Sequence, residues 1–285
     1  MKDNYSSILK HYLALLGTVI LWGTSFPVIK ILVSNVNEYT YVWVRGLLST
    51  VFLTPLILHY ISKKNVSREC VKGGLLAGIF YGLGLFFQGW GTAYTTASNS
   101  AFITGLNVLF VHLIIASMYK RYSIRLFASL VSGILGLYML SSPTTIGRLG
   151  DFLVLIGAVM WALQIIVFDK YSKCNPFILV YFMFIPTQTF ILFDPAPISI
   201  LETRINVLLG FIYLAIFCSI GAFALQAYGQ KKVPPETAAT IFLLEPVFAS
   251  IFAYLFLGET LGFKQLIGAS LILLSMYLAS KHLLK

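Results

Sequence analysis

Residues 12–33 read YLALLGTVILWGTSFPVIKILV, a stretch with one basic residue, Lys30, and no acid. At about 1.5 Å per residue, a helix of this length crosses the roughly 30 Å hydrocarbon core of a bilayer. Met1 to Lys10 could serve as the n-region of a leader, but the apolar run that follows is too long for an h-region. It also lacks a small-x-small cleavage site, so it reads as a retained first membrane helix.

The same pattern recurs along the chain. With about 20 apolar residues taken as one span, helices are expected near 12–33, 40–61, 73–93, 98–118, 126–142, 150–169, 176–193, 206–228, 237–257 and 263–281. Ten spans nearly exhaust the 285 residues, and their connections carry the breakers, such as Asn175-Pro176, Asp194-Pro195 and Pro234-Pro235. Composition agrees: 58% of residues are hydrophobic and 11% charged, with mean hydropathy +0.87. Soluble domains average about 25% charged, so a soluble protein is excluded.

The net charge of +10 would suggest nucleic acid in a soluble protein, but here it reads as topology. With a cytoplasmic N-terminus, fifteen Lys and Arg residues fall on the cytoplasmic side. They include Lys63, Lys64, Arg68, Lys120, Arg121, Arg125, Lys170, Lys231, Lys232 and Lys281. Only Arg148, Arg204 and Lys264 fall in loops on the other side, and Lys30 and Arg45 lie within spans. Both termini are therefore expected in the cytoplasm, the protein being multi-pass in the plasma membrane.

The chain also repeats itself. Leu16 through Lys30 lies ungapped on Ile156 through Lys170, and Arg125 through Ser141 lies on Lys264 through Ser280, at offsets of 140 and 139. The repeat holds five spans, an odd number, so its second copy enters the membrane from the opposite side. The expected architecture is all-α, ten transmembrane helices as two inverted five-helix repeats over residues 1–145 and 146–285. Cys70, Cys174 and Cys218 show no CxxC or ladder spacing, which argues against a disulfide framework, and no metal or cofactor site is indicated.

Several passages resemble the EamA family of the drug/metabolite transporter superfamily. Trp22-Gly23-Thr24-Ser25-Phe26-Pro27-Val28-Ile29-Lys30 looks like its opening motif, and the Arg45-led Arg-Gly-Leu-Leu-Ser-Thr looks like the next. Tyr94 through Ile103 is similar to its third-to-fourth helix junction. The run Ala238 through Phe248, followed by Leu257-Gly258-Glu259 and Gly268-Ala269, is the most specific match. The resemblance implies a central cavity lined by both halves, with the fifth and tenth helices peripheral. The first copy departs from the pattern in carrying Asn107 opposite Pro246.

Glu245 is placed deep within a span, about 12 Å from its cytoplasmic end. A carboxylate there costs about 2.5–3.5 kcal/mol on insertion scales, so it must face a cavity, be paired or be protonated. It is the candidate for coupling and protonation, set against a structural acid beside the Pro246 break. Trp22 and Trp161, on equivalent helices, fall near mid-depth, away from the interfacial belt. With Ser25, Gln88, Asn99, Asn107, Gln164, Gln226 and Glu245 they make the candidate substrate cavity, each amide equally able to act as interhelical glue. Lys30 and Arg45 are read as an external gate or as structural charges that snorkel or pair with Glu38. His112 reads as a satisfied intramembrane histidine, and His11, His59 and His282 as solvated or interfacial. Gly74, Gly78 and Gly82 permit close helix approach within the bundle, with a homodimer contact as the rival reading.

The function expected is secondary transport, as an exporter, of small organic metabolites such as amino acids or aromatic compounds, with protons as one candidate for coupling. Nothing suggests nucleic acid as a partner or enzymatic activity. The rivals are an intramembrane enzyme, which would need clustered acid, base or metal ligands, and a non-transporting sensor or scaffold. A neutral, aromatic-rich lining would favour uncharged, zwitterionic or aromatic solutes over polyphosphates.

Overall fold

The computed structural model describes residues 2–63, 65–120, 123–140, 145–197, 200, 204–233, 238, 241–242 and 244–280. Met1, Lys64, Arg121, Ser141, Pro234, Pro235, Ala239, Thr240, Leu243, Lys281 and His282, cited above, lie outside them, as does the junction between the two expected repeats.

Among the described residues the chain is helical throughout. The elements are α1 (Lys2–Val33), α2 (Glu38–Ser62), α3 (Arg68–Tyr94), α4 (Ala97–Gly105), α5 (Asn107–Tyr119) and α6 (Ile124–Leu140). They continue as α7 (Thr145–Lys170), α8 (Pro176–Phe184), a 3-10 stretch Ile185–Phe193, α9 (Ile205–Tyr213), a π stretch Leu214–Gly221, α10 (Ala222–Gly229), α11 (Glu245–Leu257) and α12 (Phe263–Ser280). Seven helices are long and apolar enough to cross a membrane, and Phe127–Leu140, Glu245–Leu257 and Phe263–Leu278 are shorter apolar helices.

Side-chain caps start these helices where the sequence supplies them. Asn37 accepts from the Thr40 N–H at 2.8 Å, Ser67 from Cys70, Thr96 from Asn99, and Asn175 from Phe177 with Pro176 in the first turn. Left-handed residues end two of them: Lys120 after α5 and Gly258 after α11.

Two spans are broken at matching places. At Leu106, between α4 and α5, the N–H bonds to Ile103 O, three residues back; at Leu244, just before α11, it bonds to Ile241 O in the same way. Pro246 accounts for the second break, since it has no N–H and its ring crowds the preceding turn. Asn107 has no such ring, and the break at Leu106 is unexplained by its sequence. The breaks put Asn107 opposite Glu245, one place from the register that set it against Pro246.

Glycine sets the closest helix approaches. A Cβ on Gly78 would stand 2.5 Å from Met183 O and one on Gly74 2.6 Å from Leu179 O, whereas one on Gly82 would meet nothing nearer than 3.2 Å. The Gly74–Gly78 face thus abuts α8 inside the bundle. On the periphery α6 and α12 pair through Gly136 and Gly268. Ser132 donates to Leu271 O and Ser275 to Ser129 O across that pair. Ile124, Phe127, Ile134 and Tyr138 on α6 and Phe263 on α12 are exposed apolar side chains, as a lipid-facing surface requires.

Two departures from the sequence reading concern pairing. Cys70 and Cys174 form a disulfide with Cα atoms 5.5 Å apart, and Cys218 is free and buried. Packing of α3 along α7 brings together residues 104 apart in sequence, which spacing cannot reveal. His11 is buried and stacks on Tyr228 at 4.4 Å, because helix α1 extends well before residue 12 and carries it into the bundle.

A mid-depth cavity with two unpaired charges

Seven helical segments converge on one cavity. It is lined by Trp22, Ser25 and Phe26 of α1, Arg45 of α2, Gln88 of α3 and Thr104 and Asn107 at the Leu106 break. Trp161, Gln164 and Ile165 of α7, Phe223 of α10 and Glu245 at the Leu244 break complete it. Seven of the nine cavity residues expected from sequence meet here: Trp22, Ser25, Gln88, Asn107, Trp161, Gln164 and Glu245. Trp22 packs against both large hydrophobic clusters of the protein and so stands at their seam. In this conformation the cavity measures about 30 Å³, room for about two waters.

Asn99 and Gln226 are not on its wall. Asn99 donates to Leu140 O at 3.2 Å and accepts from Gln265, tying α4 to the ends of α6 and α12. Gln226 is fully buried one turn beyond Phe223.

Arg45 is the residue whose place the sequence misjudged. It is 2% exposed and faces the cavity, neither snorkelling nor paired with Glu38. Nε donates to Ser219 Oγ at 2.8 Å and Nη1 to the Tyr41 hydroxyl at 2.7 Å, while Tyr81 and Ser219 share a further bond at 3.0 Å. Helix α2 begins at Glu38, so Arg45 lies about 10 Å inside it. A mid-helix arginine with Tyr one turn before it was the available signal. The lining is therefore not neutral.

Glu245 is 5% exposed and makes no hydrogen bond or ion pair among the described residues, Arg45 included. Two neighbouring polar atoms also lack partners: Asn107 Oδ1 and Trp161 Nε1. A buried polar atom without a partner costs about 1–3 kcal/mol. Gln88 donates to Thr104 Oγ1 at 3.0 Å, and Ser25 to Trp22 O at 2.6 Å. Aromatic rings close the wall: Phe223 lies 5.1 Å from Trp22, 5.1 Å from Tyr81 and 6.0 Å from Trp161 between ring centres.

Lys30 is a cap. Its Nζ donates to the carbonyls of Thr92, Ala93 and Thr95 at 2.6–3.1 Å, satisfying the end of α3 and leaving no donor for Glu38. His112 bonds through Nδ1 to Val108 O at 2.7 Å and is fully buried, a structural histidine.

The family model described as the EamA-like transporter family matches the chain twice, over residues 9–142 and 148–281. The chain belongs to that family. Among its EamA-like relatives, an uncharacterized transporter of Archaeoglobus fulgidus is 31% identical over 274 residues, 94% of this chain and 85% of the relative. The uncharacterized transporter YyaM of Bacillus subtilis is 28% identical over 287 residues, 94% of this chain and 93% of its own. One solved crystal structure superposes with a TM-score of 0.62 at 14% identity over 96% of both chains, a likeness of fold. The chain is thus a multi-pass membrane protein of a transporter family.

Proposed function

We propose that this protein is a secondary transporter, an exporter of small organic solutes such as amino acids or aromatic compounds, built as ten membrane helices in two inverted five-helix repeats over residues 1–145 and 146–285. The observation that carries the reading is the mid-depth cavity, where Asn107 and Glu245 project from matching breaks in two spans and face Arg45 with no ion pair between the two charges. Broken helices around a midplane site are how transporters place polar groups in a membrane without leaving backbone exposed to lipid. Trp22, Ser25, Gln88, Gln164 and Trp161 serve as solute contacts, and Lys30 has a structural part as the cap of α3.

Arg45 offers a guanidinium to a solute anion. Glu245 offers a carboxylate to a cation or a carboxyl group to a proton, and the rings between them take the apolar body. The Lys/Arg-rich end faces the cytoplasm of a plasma membrane.

Flux in proteoliposomes of the purified protein tests this, with labelled amino acids and small aromatics, with and without an imposed proton gradient, alongside Glu245→Gln. Movement that follows the gradient and falls at least about tenfold in the variant is expected, a rise of about 1.4 kcal/mol in the activation free energy of transport. Movement that ignores both the gradient and Glu245 would leave the transporter and remove proton coupling through that residue.

A further inference from the structure

Below the cavity, toward the Lys231-Lys232 end, four walls run on from its lining. On α1 the residues one and two turns before Trp22 are Thr18, Val19 and Leu15; before Glu245 come Phe242 and Ala238; after Trp161 on α7 come Ile165 and Phe168. Leu15, Val19, Ile165, Val233, Ala238 and Phe242 form one buried apolar cluster, an apolar seal on that side.

The fourth wall differs. Phe223, Gln226 and Gln230 follow at helical spacing on one face of α10 and its C-cap. Gln226 is 0% exposed and Gln230 5%, and all four of their amide nitrogens and oxygens lack a hydrogen-bond partner among the described residues. Each buried amide group left unsatisfied costs free energy, whereas interhelical glue would be bonded.

We propose that Gln226 and Gln230 line the passage between the central cavity and the Lys/Arg-rich end, closed here by the apolar cluster and hydrated when that end opens. There the amides donate to and accept from a neutral or zwitterionic solute, handing it on from Trp161 Nε1 and Asn107 Oδ1. This rests on the transport reading above and adds the route.

The test uses the full chain in membrane vesicles, with Gln226→Cys and Gln230→Cys and a membrane-impermeant maleimide applied on the Lys231-Lys232 side. Peptide mass spectrometry reads each thiol separately, and buried Cys218 is the internal reference. Both introduced thiols are expected to label at least about tenfold faster than Cys218, position 230 ahead of 226, because labelling follows the population of the open form. Rates no faster than that of Cys218 at both positions would overturn the proposal.

Gln226→Met and Gln230→Met give a second readout, because removing unsatisfied amides should raise Tm while slowing flux. A lower Tm would mark the amides as glue and overturn it as well. Labelling needs no solute: labelled thiols without flux of any compound would leave the passage and sink the transport reading, and flux with unreactive thiols would do the reverse.

Discussion

At single residues, a charge proposed to meet solute differs from one that holds the fold. Arg45 is fixed by Tyr41 and Ser219, so a solute carboxylate would meet a preset donor. A hydrogen bond to a charged group contributes about 1.5–3 kcal/mol. Arg45→Gln is therefore expected to raise KM for an anionic or zwitterionic solute by about 10–100-fold, with little effect on a neutral one. Equal losses for both solutes would assign Arg45 to the fold.

Asp194 belongs to the other kind. Burial pushes its carboxyl up, but hydrogen bonds from Thr40, Trp43, the Ala196 N–H and Asn37 outweigh burial and hold it below the usual carboxylate range. A depressed folded value means stabilisation that is present above the unfolded pKa, about 3.9, and lost as pH falls through the lower folded value. Asp194→Asn should lower Tm at neutral pH by about 3 °C or more, and the gap to the parent should close as pH drops below 4. A gap that stays constant with pH would show that the charge is irrelevant.

At the level of elements, the seven long apolar helices were legible and their interiors were not. Hydropathy adds up residue by residue, so it finds a 20-residue apolar run whatever the backbone does inside it. It is blind to the π stretch at Leu214–Gly221, the 3-10 stretch at Ile185–Phe193 and the turn at Leu106. It also misses rotation about the helix axis, which is why Arg45 read as an interfacial charge and Asn99 as cavity lining. Glycine spacing was informative because close approach leaves a mark in composition. Gly78→Ala should destabilise the bundle clearly more than Gly82→Ala, since the first Cβ would stand 2.5 Å from Met183 O and the second no closer than 3.8 Å to any backbone atom, Thr187 Cα. Equal melting temperatures for the two variants would contradict the packing of α3 on α8.

The Cys70–Cys174 bond fastens α3 to the turn after α7 at the Lys/Arg-rich end. Cytoplasmic thiols are kept reduced in most cells. With that end cytoplasmic, alkylation before lysis should trap Cys70 and Cys174 as free thiols, and mild oxidation of purified protein should join them. A bond already present in intact cells would place this end in an oxidising compartment and invert the topology.

Across the whole molecule, the two ends of the cavity are held by different chemistry. The Lys/Arg-rich end is shut by apolar side chains over two unsatisfied amides. The opposite end is tied by polar links between the first and second halves of the chain. Thr95 donates to Asp151 at 2.6 Å, and the Glu259 carboxylate accepts from the Ala97 and Ser98 N–H groups and the Ser98 hydroxyl at 2.9–3.0 Å. An acid at the start of α4 also complements that helix's dipole.

If transport alternates between two states, a link made in only one of them sets their ratio, and its loss shifts both ends in opposite senses. Charge-assisted bonds of this kind contribute about 1.5–3 kcal/mol, so Glu259→Ala should change the ratio by about tenfold or more. In such a variant, a thiol introduced at Phe26, on the cavity wall toward the tied end, should gain reactivity from that side. A thiol at Gln230 should lose it from the other. Reactivity that rises at both positions would mean a loosened bundle, and with it two ends that open independently, which no alternating-access transporter permits.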